Sequence, residues 1–167
     1  WPLQSRAWPR RGGRRVADLT VDELPRAVEH PDWFVWIGLH EPGEALLKRL
    51  QGIFGLHDLA VEDAMCAHQR PKIDEYGNSL FAVLHMVEND RKELNVGEVG
   101  IFVGANYVLS VRSRAEQGFV DVRKRCEEDP ERLRHGPAYV LYALMDAVVD
   151  RYFPVLDAIE TEFETVE

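Results

Sequence analysis

Four strand-like segments follow one another in the middle of the chain, and this pattern restricts the fold more than any other feature. The segments are residues 72–76, 80–87, 96–103 and 107–111. Their connections are Gly77-Asn78, a charged loop over residues 88–92, and Gly104-Ala105-Asn106. Connections this short join antiparallel neighbours, so the sequence predicts an antiparallel arrangement for these strands.

Helical patterns lie on both sides of these strands. A short helix over residues 21–30 begins after Thr20, and the apolar run over residues 34–39 predicts a buried strand. Three further helical segments are residues 42–54, 58–65 and 119–126, with Gly55 and Pro71 as stop signals after the first two. The predicted fold class is therefore α+β (α/β/α), a mixed and largely antiparallel sheet covered by helices.

The last segment, from Gly136 onward, predicts a long helix of two different halves. Residues 139–145 are apolar on every side, which is typical of a helix enclosed by a core. Five apolar residues then recur at spacings of 4, 3, 4 and 3, namely Tyr152, Leu156, Ile159, Phe163 and Val166. This seam predicts contact with another helix. Because no stop signal precedes Glu167, we expect the helix to be truncated there.

The two ends of the chain differ from its middle in organisation and charge. Residues 1–15 hold five arginines and no acid, and we expect a mobile leader or an edge strand that adds little to the core. We place the α/β/α domain at residues 16–135 and the long helix at residues 136–167. The whole chain carries 29 acids and 20 bases, a net charge of −9, and residues 16–167 alone carry −14. Such a charge argues against nucleic acid as a partner.

Two further features bear on localisation. The sequence contains no stretch of about 18 apolar residues, so we expect the chain itself to be soluble. Cys66 and Cys126 are far apart in sequence and suggest no disulfide framework, which favours the cytosol.

Acidic residues supply the candidate metal ligands. Glu62 and Asp63 form a pair near the end of a helix, where carboxylates face the negative end of the helix dipole. Four acids form one stripe on the last helix, namely Asp146, Asp150, Asp157 and Glu164. Each feature has two interpretations: the acids are simply exposed to solvent, or they bind divalent cations. The residue pattern alone favours solvent exposure. Asp146 differs because it lies in the apolar half, where a carboxylate needs a partner.

Other chemistry-bearing motifs are weak. Cys66 and His68 lack a second Cys/His pair at zinc-finger spacing, and no phosphate-binding loop or nucleophile elbow occurs. Arg70 and Lys72 suit a helix C-terminus better than an anion site. A metal-dependent hydrolase that uses Glu62, Asp63 and His68 is one alternative function, and an interaction module that uses only the helical seam is another.

Six segments together resemble the cytosolic domain of CorA-type magnesium and cobalt transport proteins. They are residues 34–39, 54–63, 68–76, 80–87, 100–108 and 142–153, and the resemblance spans roughly residues 34–165. It implies a homopentameric, funnel-shaped inner-membrane channel without enzymatic activity. In that family the cytosolic domain leads into a long stalk helix and two membrane helices, and this chain includes neither those membrane helices nor the pore tripeptide Gly-Met-Asn. The chain would therefore lie at the cytoplasmic face of the membrane.

The resemblance also implies metal sites between identical subunits. Asp63 matches an inter-subunit ligand, and Glu62 and Asp146 match a second nearby site. Mg²⁺ or Co²⁺ bound at these sites would hold the channel closed. In the family, the carboxylate that binds the same ion from the opposite side of the Asp63 site lies farther along the stalk helix, beyond Glu167. A zinc-transporting relative is the nearest alternative, although His68-Gln-Arg-Pro-Lys72 with Glu75-Tyr76 favours the magnesium branch.

Overall fold

The protein is built around one seven-stranded mixed sheet, seen here in a computed structural model that describes residues 4–9, 17–66, 68–90 and 93–164. The strands are β1 (Gln4–Pro9), β2 (Ala17–Asp18), β3 (Trp33–His40), β4 (Lys72–Tyr76), β5 (Ser79–Asp90), β6 (Glu93–Val103) and β7 (Tyr107–Ser113). The helices are α1 (Leu24–Glu29), α2 (Glu44–Phe54), α3 (Asp58–Met65), α4 (Val120–Glu128), α5 (Pro130–Leu133), α6 (Pro137–Asp150) and α7 (Tyr152–Glu164).

The central strands pair as their short connections predict. In the order β2-β1-β3-β7-β6-β5-β4, the last four strands form an antiparallel meander. β3 runs parallel to β7, with Val35 opposite Tyr107 and His40 opposite Arg112. The long connection that a parallel pair requires comprises α2, α3 and the strands β4 to β6. The predicted α+β class with a mixed, largely antiparallel sheet is confirmed.

The N-terminal strand contributes more to the core than predicted. β1 is antiparallel to β3 over six residue pairs and lies between β2 and β3, so it is not an edge strand. Ala7 and Trp8 are fully buried, and the Trp8 ring stacks on Phe34 at 5.6 Å between ring centroids. The expectation that this region adds little to the core was wrong, because a six-residue strand has too few positions to show its buried face in sequence. Of the five N-terminal arginines, only Arg6 lies among the described residues.

Alternate residues of the strands face two separate cores. On β3, Phe34 and Trp36 point toward α4, α5 and α6, whereas Val35 and Ile37 point toward α1, α2 and α3. This burial on both faces explains why the strand is continuously apolar in sequence. The consequence for function is that α3 and α6 lie on opposite faces of the sheet.

The long last helix is interrupted once, at Arg151. Pro154 explains the break, because its ring conflicts with the carbonyl of Asp150 and it has no N–H to donate to that oxygen. Residues 139–145 are not enclosed on every side, contrary to prediction: Val140 and Leu144 are fully buried, but Tyr142 is 59% exposed. In the part of the chain that the structure describes, no helix has the length and apolar character needed to cross a membrane.

The predicted helical seam is only partly available for another helix. Tyr152 packs against its own domain, and its hydroxyl donates to the carbonyl oxygen of His85 at 2.5 Å. Leu156, Ile159 and Phe163 are exposed, and Val166 lies outside the described residues. The free apolar surface therefore follows Tyr142, Val149, Phe153, Leu156 and Phe163, which we call the apolar stripe.

Candidate metal centre

Asp63 lies in the last turn of α3 and already has a cationic partner. Its Oδ2 accepts a hydrogen bond from Lys72 Nζ at 2.6 Å, and the same ammonium lies 2.8 Å from Asp74 Oδ2. Lys72 and Asp74 share one face of β4 because side chains alternate along a strand. The two carboxylates raise the pKa of Lys72 above its ordinary value, so the ammonium stays charged at neutral pH. Lys72 thus occupies the position that a metal ion at Asp63 would need.

Glu62 points away from this ion pair. Successive residues on a helix are rotated by about 100°, so Glu62 and Asp63 project in different directions. Glu62 is exposed, whereas the Asp63 side chain is only 22% exposed. The adjacent acids are therefore not two ligands of one ion within this chain.

Asp146 is exposed on α6. The expectation that its carboxylate needs a partner inside an apolar environment was wrong, because this part of α6 buries only one side. The other acids of the predicted stripe, Asp150, Asp157 and Glu164, are exposed as well. Solvent therefore accounts for their charges in a single protomer.

The predicted ligands do not meet within one chain. Glu62 lies on the α3 face of the sheet and Asp146 on the α6 face. A helix with its side chains is about 10–12 Å across, whereas Mg²⁺ binds oxygen at about 2.1 Å. Residues 4–9, 17–66, 68–90 and 93–164 contain no group of three His, Cys, Asp or Glu side chains that could hold a metal ion. The carboxylates suit Mg²⁺ chemically, but the described residues of one chain do not bring them together.

Cys66 and His68 also fail to form a site of their own. Both are exposed at the loop that follows α3, and His68 has a positive φ of 82°. A hydrolytic centre built on Glu62, Asp63 and His68 therefore has no convergent geometry among the described side chains.

Two residues that the sequence analysis missed hold the loop between α3 and β4. Glu98 is buried, and its carboxylate accepts the backbone N–H groups of His68 at 3.0 Å and Gln69 at 3.1 Å. His85, opposite Glu98 in the sheet register, contacts the Gln69 carbonyl oxygen through Nε2 at 2.9 Å. The signal in the sequence was Glu98 itself, a charged residue within the apolar strand β6. These contacts set the position from which Lys72 reaches Asp63.

Comparison with known proteins agrees with this architecture. The family described as CorA-like Mg²⁺ transporter protein matches residues 32–167. The cobalt/magnesium transport protein CorA of Thermotoga maritima is 34% identical over 140 residues, which is 82% of this chain and 39% of the relative. The chain thus spans well under half the length of that protein.

Two solved structures share the fold. The soluble domain of CorA from Methanocaldococcus jannaschii has a TM-score of 0.66 at 14% sequence identity. The match covers 96% of this chain and 62% of the CorA domain. The ZntB cytoplasmic domain from Vibrio parahaemolyticus has a TM-score of 0.69 at 14% sequence identity. That match covers 97% of this chain and 64% of the ZntB domain. The family match extends over most of the chain, including the segments that carry Glu62, Asp63 and Asp146, so the protein belongs to the CorA-like Mg²⁺ transporter family.

Proposed function

We propose that this chain is the cytosolic metal-sensing domain of a Mg²⁺/Co²⁺ channel at the cytoplasmic face of the inner membrane. Identical subunits, five in the whole protein, would form a ring, and Mg²⁺ or Co²⁺ between neighbours would stabilise the closed state. The name of the Thermotoga maritima relative, a cobalt/magnesium transport protein, supports the choice of ions. The chain's own part in this function is regulation.

The observation that carries the proposal is the placement of the ligands. Glu62 and Asp146 are both exposed and lie on opposite faces of the sheet. Two such faces come together when the α3 side of one protomer meets the α6 side of the next, as in a head-to-tail ring. A cation at that junction would reduce the repulsion between acidic surfaces. Such a site exists only when two subunits are in contact. Metal binding would therefore stabilise the arrangement of subunits that forms the site.

The ion pair at Asp63 sets a threshold for metal binding. A divalent ion at Asp63 has to displace the Lys72 ammonium, which lies 2.6 Å away. Binding is therefore weaker than at a free carboxylate, and the site responds only when the ion is abundant. A coupling of roughly 1–3 kcal/mol per site, repeated around a ring, is enough to bias a gate.

The apolar stripe on α6 and α7 gives further support for self-association. Phe153 and Leu156 are each 57% exposed, and Phe163 is 73% exposed. Large apolar side chains in a row on one surface are typical of an interface. In the proposed assembly this stripe packs against neighbouring copies, while the acids beside it face the ions.

The test is metal-dependent stability, measured in parallel on the 167-residue chain and on the full-length product of its gene. We expect Mg²⁺ or Co²⁺ at about 1–10 mM to raise the melting temperature of the full-length protein, because ligands that bind only the folded state stabilise it. Asp63→Ala and Asp146→Ala should each reduce this gain. Thermal unfolding followed by circular dichroism, together with mass measured by light scattering, provides the readout.

Glu162→Ala is the matched control, because it removes an exposed acid from α7 that belongs neither to the proposed sites nor to the four-acid stripe. It should keep the full metal response. Equal stabilisation of the wild type, Asp63→Ala and Asp146→Ala would contradict the assignment of these ligands. A larger response to Zn²⁺ than to Mg²⁺ or Co²⁺ would favour the zinc-transporting alternative.

A further inference from the structure

A small cavity lies between the sheet and the beginning of α4, on the opposite face of the sheet from α3 and Asp63. Its volume is about 240 Å³, and its walls come from β3, β7 and the first residues of α4. Gly38 and His40 of β3, Arg112 of β7, and Phe119 and Arg123 at α4 are among the lining residues. Nothing in the proposed metal response uses this cavity.

The cavity is cationic in a strongly acidic protein. The chain carries a net charge of −9, yet the lining includes two arginines and no Asp or Glu. The acids that act on these arginines lie outside the lining, namely Glu41, Glu88 and Glu116 near Arg112, and Asp18 and Glu127 near Arg123. Four of them have other partners: Glu41 and Glu88 accept the backbone N–H groups of Arg114 and Gln117 at 3.2 and 2.7 Å, and Asp18 and Glu127 pair with Arg6 at 2.9 and 2.5 Å. Two guanidinium groups in a confined space favour a doubly charged anion over a single carboxylate.

Arg123 is a charged residue that is almost completely buried in the wall of the cavity. It is only 5% exposed, and its guanidinium lies 4.7 Å from the centroid of the Trp36 ring. Burial lowers its pKa to about 10, because the charged form is separated from water. Asp18 and Glu127 offset part of this loss of hydration, and a bound anion would offset more of it.

Further groups in the cavity can donate hydrogen bonds to an anion. His40 Nε2 is buried and has no hydrogen-bond partner among the described residues. α4 begins at Val120 without a side-chain cap, and the first N–H groups of any helix lack partners within it. Gly38 keeps the cavity open, because a Cβ there would lie 3.6 Å from Arg123 Nη2 and 3.7 Å from Ser110 Oγ.

We propose that this cavity binds a phosphate dianion, either free inorganic phosphate or the terminal phosphate of a small metabolite. Arg112 and Arg123 neutralise its charge, while His40 and the start of α4 donate to its oxygens. Arg112 Nη1 already donates to the carbonyl oxygens of Ala115 and Glu116, so Nη2, beside Gly118 of the lining, is the nitrogen that would face the anion. The volume is below the roughly 300 Å³ typical of sites for larger organic ligands, which excludes a whole nucleotide. The assignment is independent of the metal-sensing function.

The test is isothermal titration calorimetry on the 167-residue chain at pH 7 in EDTA, with inorganic phosphate as the first probe. We expect saturable binding that Arg112→Met weakens about tenfold, since a charge-assisted pair is lost. Gly38→Ala should weaken it about fivefold by filling the cavity floor, and its new Cβ makes only ordinary contacts. Gly38→Ala therefore tests the site even if Arg112→Met fails to fold.

Lys124→Met is the matched control, because it removes an exposed positive charge from α4 outside the cavity lining. Its affinity for phosphate should stay within about twofold of the wild type. Glycerol 3-phosphate distinguishes the sources: tighter binding than inorganic phosphate indicates a metabolite, and weaker binding indicates the free ion. The proposal is overturned by the absence of saturable heat up to about 10 mM phosphate, or by equal losses in Lys124→Met, Arg112→Met and Gly38→Ala.

Discussion

Lys72 is the residue that most changes the interpretation of the candidate metal centre. It joins Asp63 of α3 to Asp74 of β4, two elements that the sequence separates by a loop. The side chains of Lys72 and Asp63 are 34% and 22% exposed, so water screens the pair and its net stabilisation is about 1 kcal/mol or less. Its consequence for metal binding is larger, because an ammonium and a divalent ion cannot occupy the same position.

Replacing Lys72 with methionine should strengthen metal binding at Asp63. Removal of a unit charge a few ångströms from the site relieves a repulsion of about 1–4 kcal/mol, so we expect Co²⁺ to bind the full-length protein about tenfold more tightly. Isothermal titration calorimetry measures the change. The sign does not depend on pH across the neutral range, because the raised pKa keeps Lys72 charged well above pH 9.

Lys48→Met is the control for this substitution. Lys48 pairs with Glu44 at 2.6 Å on α2, so the variant loses one positive charge and one ion pair elsewhere in the domain. Its Co²⁺ affinity should equal that of the wild type. Weaker Co²⁺ binding by Lys72→Met than by Lys48→Met would mean that Lys72 helps the ion to bind and does not compete with it.

At the scale of elements, β1 ties the N-terminal region to the domain. It covers one side of β3 through six residue pairs, and Arg6 forms ion pairs with Asp18 at 2.9 Å and Glu127 at 2.5 Å. The α4 helix carries Glu127, so β1 connects the sheet to the helical layer that forms the α4 cavity. β1 thus belongs to the folded unit, although the arginines and glycines of residues 1–15 predict a mobile segment.

Trp8→Ala should lower the free energy of unfolding by about 3–5 kcal/mol, the range for large aromatic residues removed from a core. Trp8 is fully buried between Phe34 and Trp36. Urea denaturation followed by tryptophan fluorescence and circular dichroism measures the change. Trp33→Ala, at a half-buried position of β3, should cost clearly less. A loss for Trp8→Ala no larger than that of Trp33→Ala would show that β1 is dispensable for the core.

At the scale of the whole molecule, the two faces of the sheet have different surfaces. The α3 face carries Glu62 and the Lys72 ion pair, and the α6 face carries Asp146 beside the apolar stripe. Contact between two unlike surfaces is a head-to-tail contact, and such contacts close into a ring when the rotation between copies allows it. The proposed pentamer therefore depends on complementarity between these two faces.

The double variant Val149→Glu/Leu156→Glu should weaken self-association of the full-length protein in detergent without changing its circular dichroism spectrum. Both side chains are at least half exposed, so charge there costs little in a monomer but is unfavourable in an apolar interface. Sedimentation velocity measures the assembled fraction. Ile73→Glu, at a 54% exposed site on β4, is the control. An unchanged assembled fraction in the double variant would exclude the apolar stripe from the interface.

Local patterns in the sequence were sufficient to predict several elements of the fold. The meander of β4 to β7 follows from short connections, and α2 and α3 follow from apolar spacing, a glycine and a proline. The family resemblance also identified Glu62, Asp63 and Asp146 as candidates. Thr20 shows the limit of such local evidence: its hydroxyl bonds to the Glu23 side chain instead of capping α1.

Which of these residues meet depends on the tertiary structure. The Glu98 hydrogen bonds and the cavity beside α4 join residues far apart in sequence, and the Lys72 ion pairs join α3 to β4 across a loop. No local periodicity predicts such contacts. The same is true of β1, whose buried position depends on pairing with β3. A hydrophobic pattern specifies which side of an element is buried, but the order of strands and the face that each helix covers decide its neighbours. That order places Glu62 and Asp146 on opposite faces, where they can share an ion only through a second protomer.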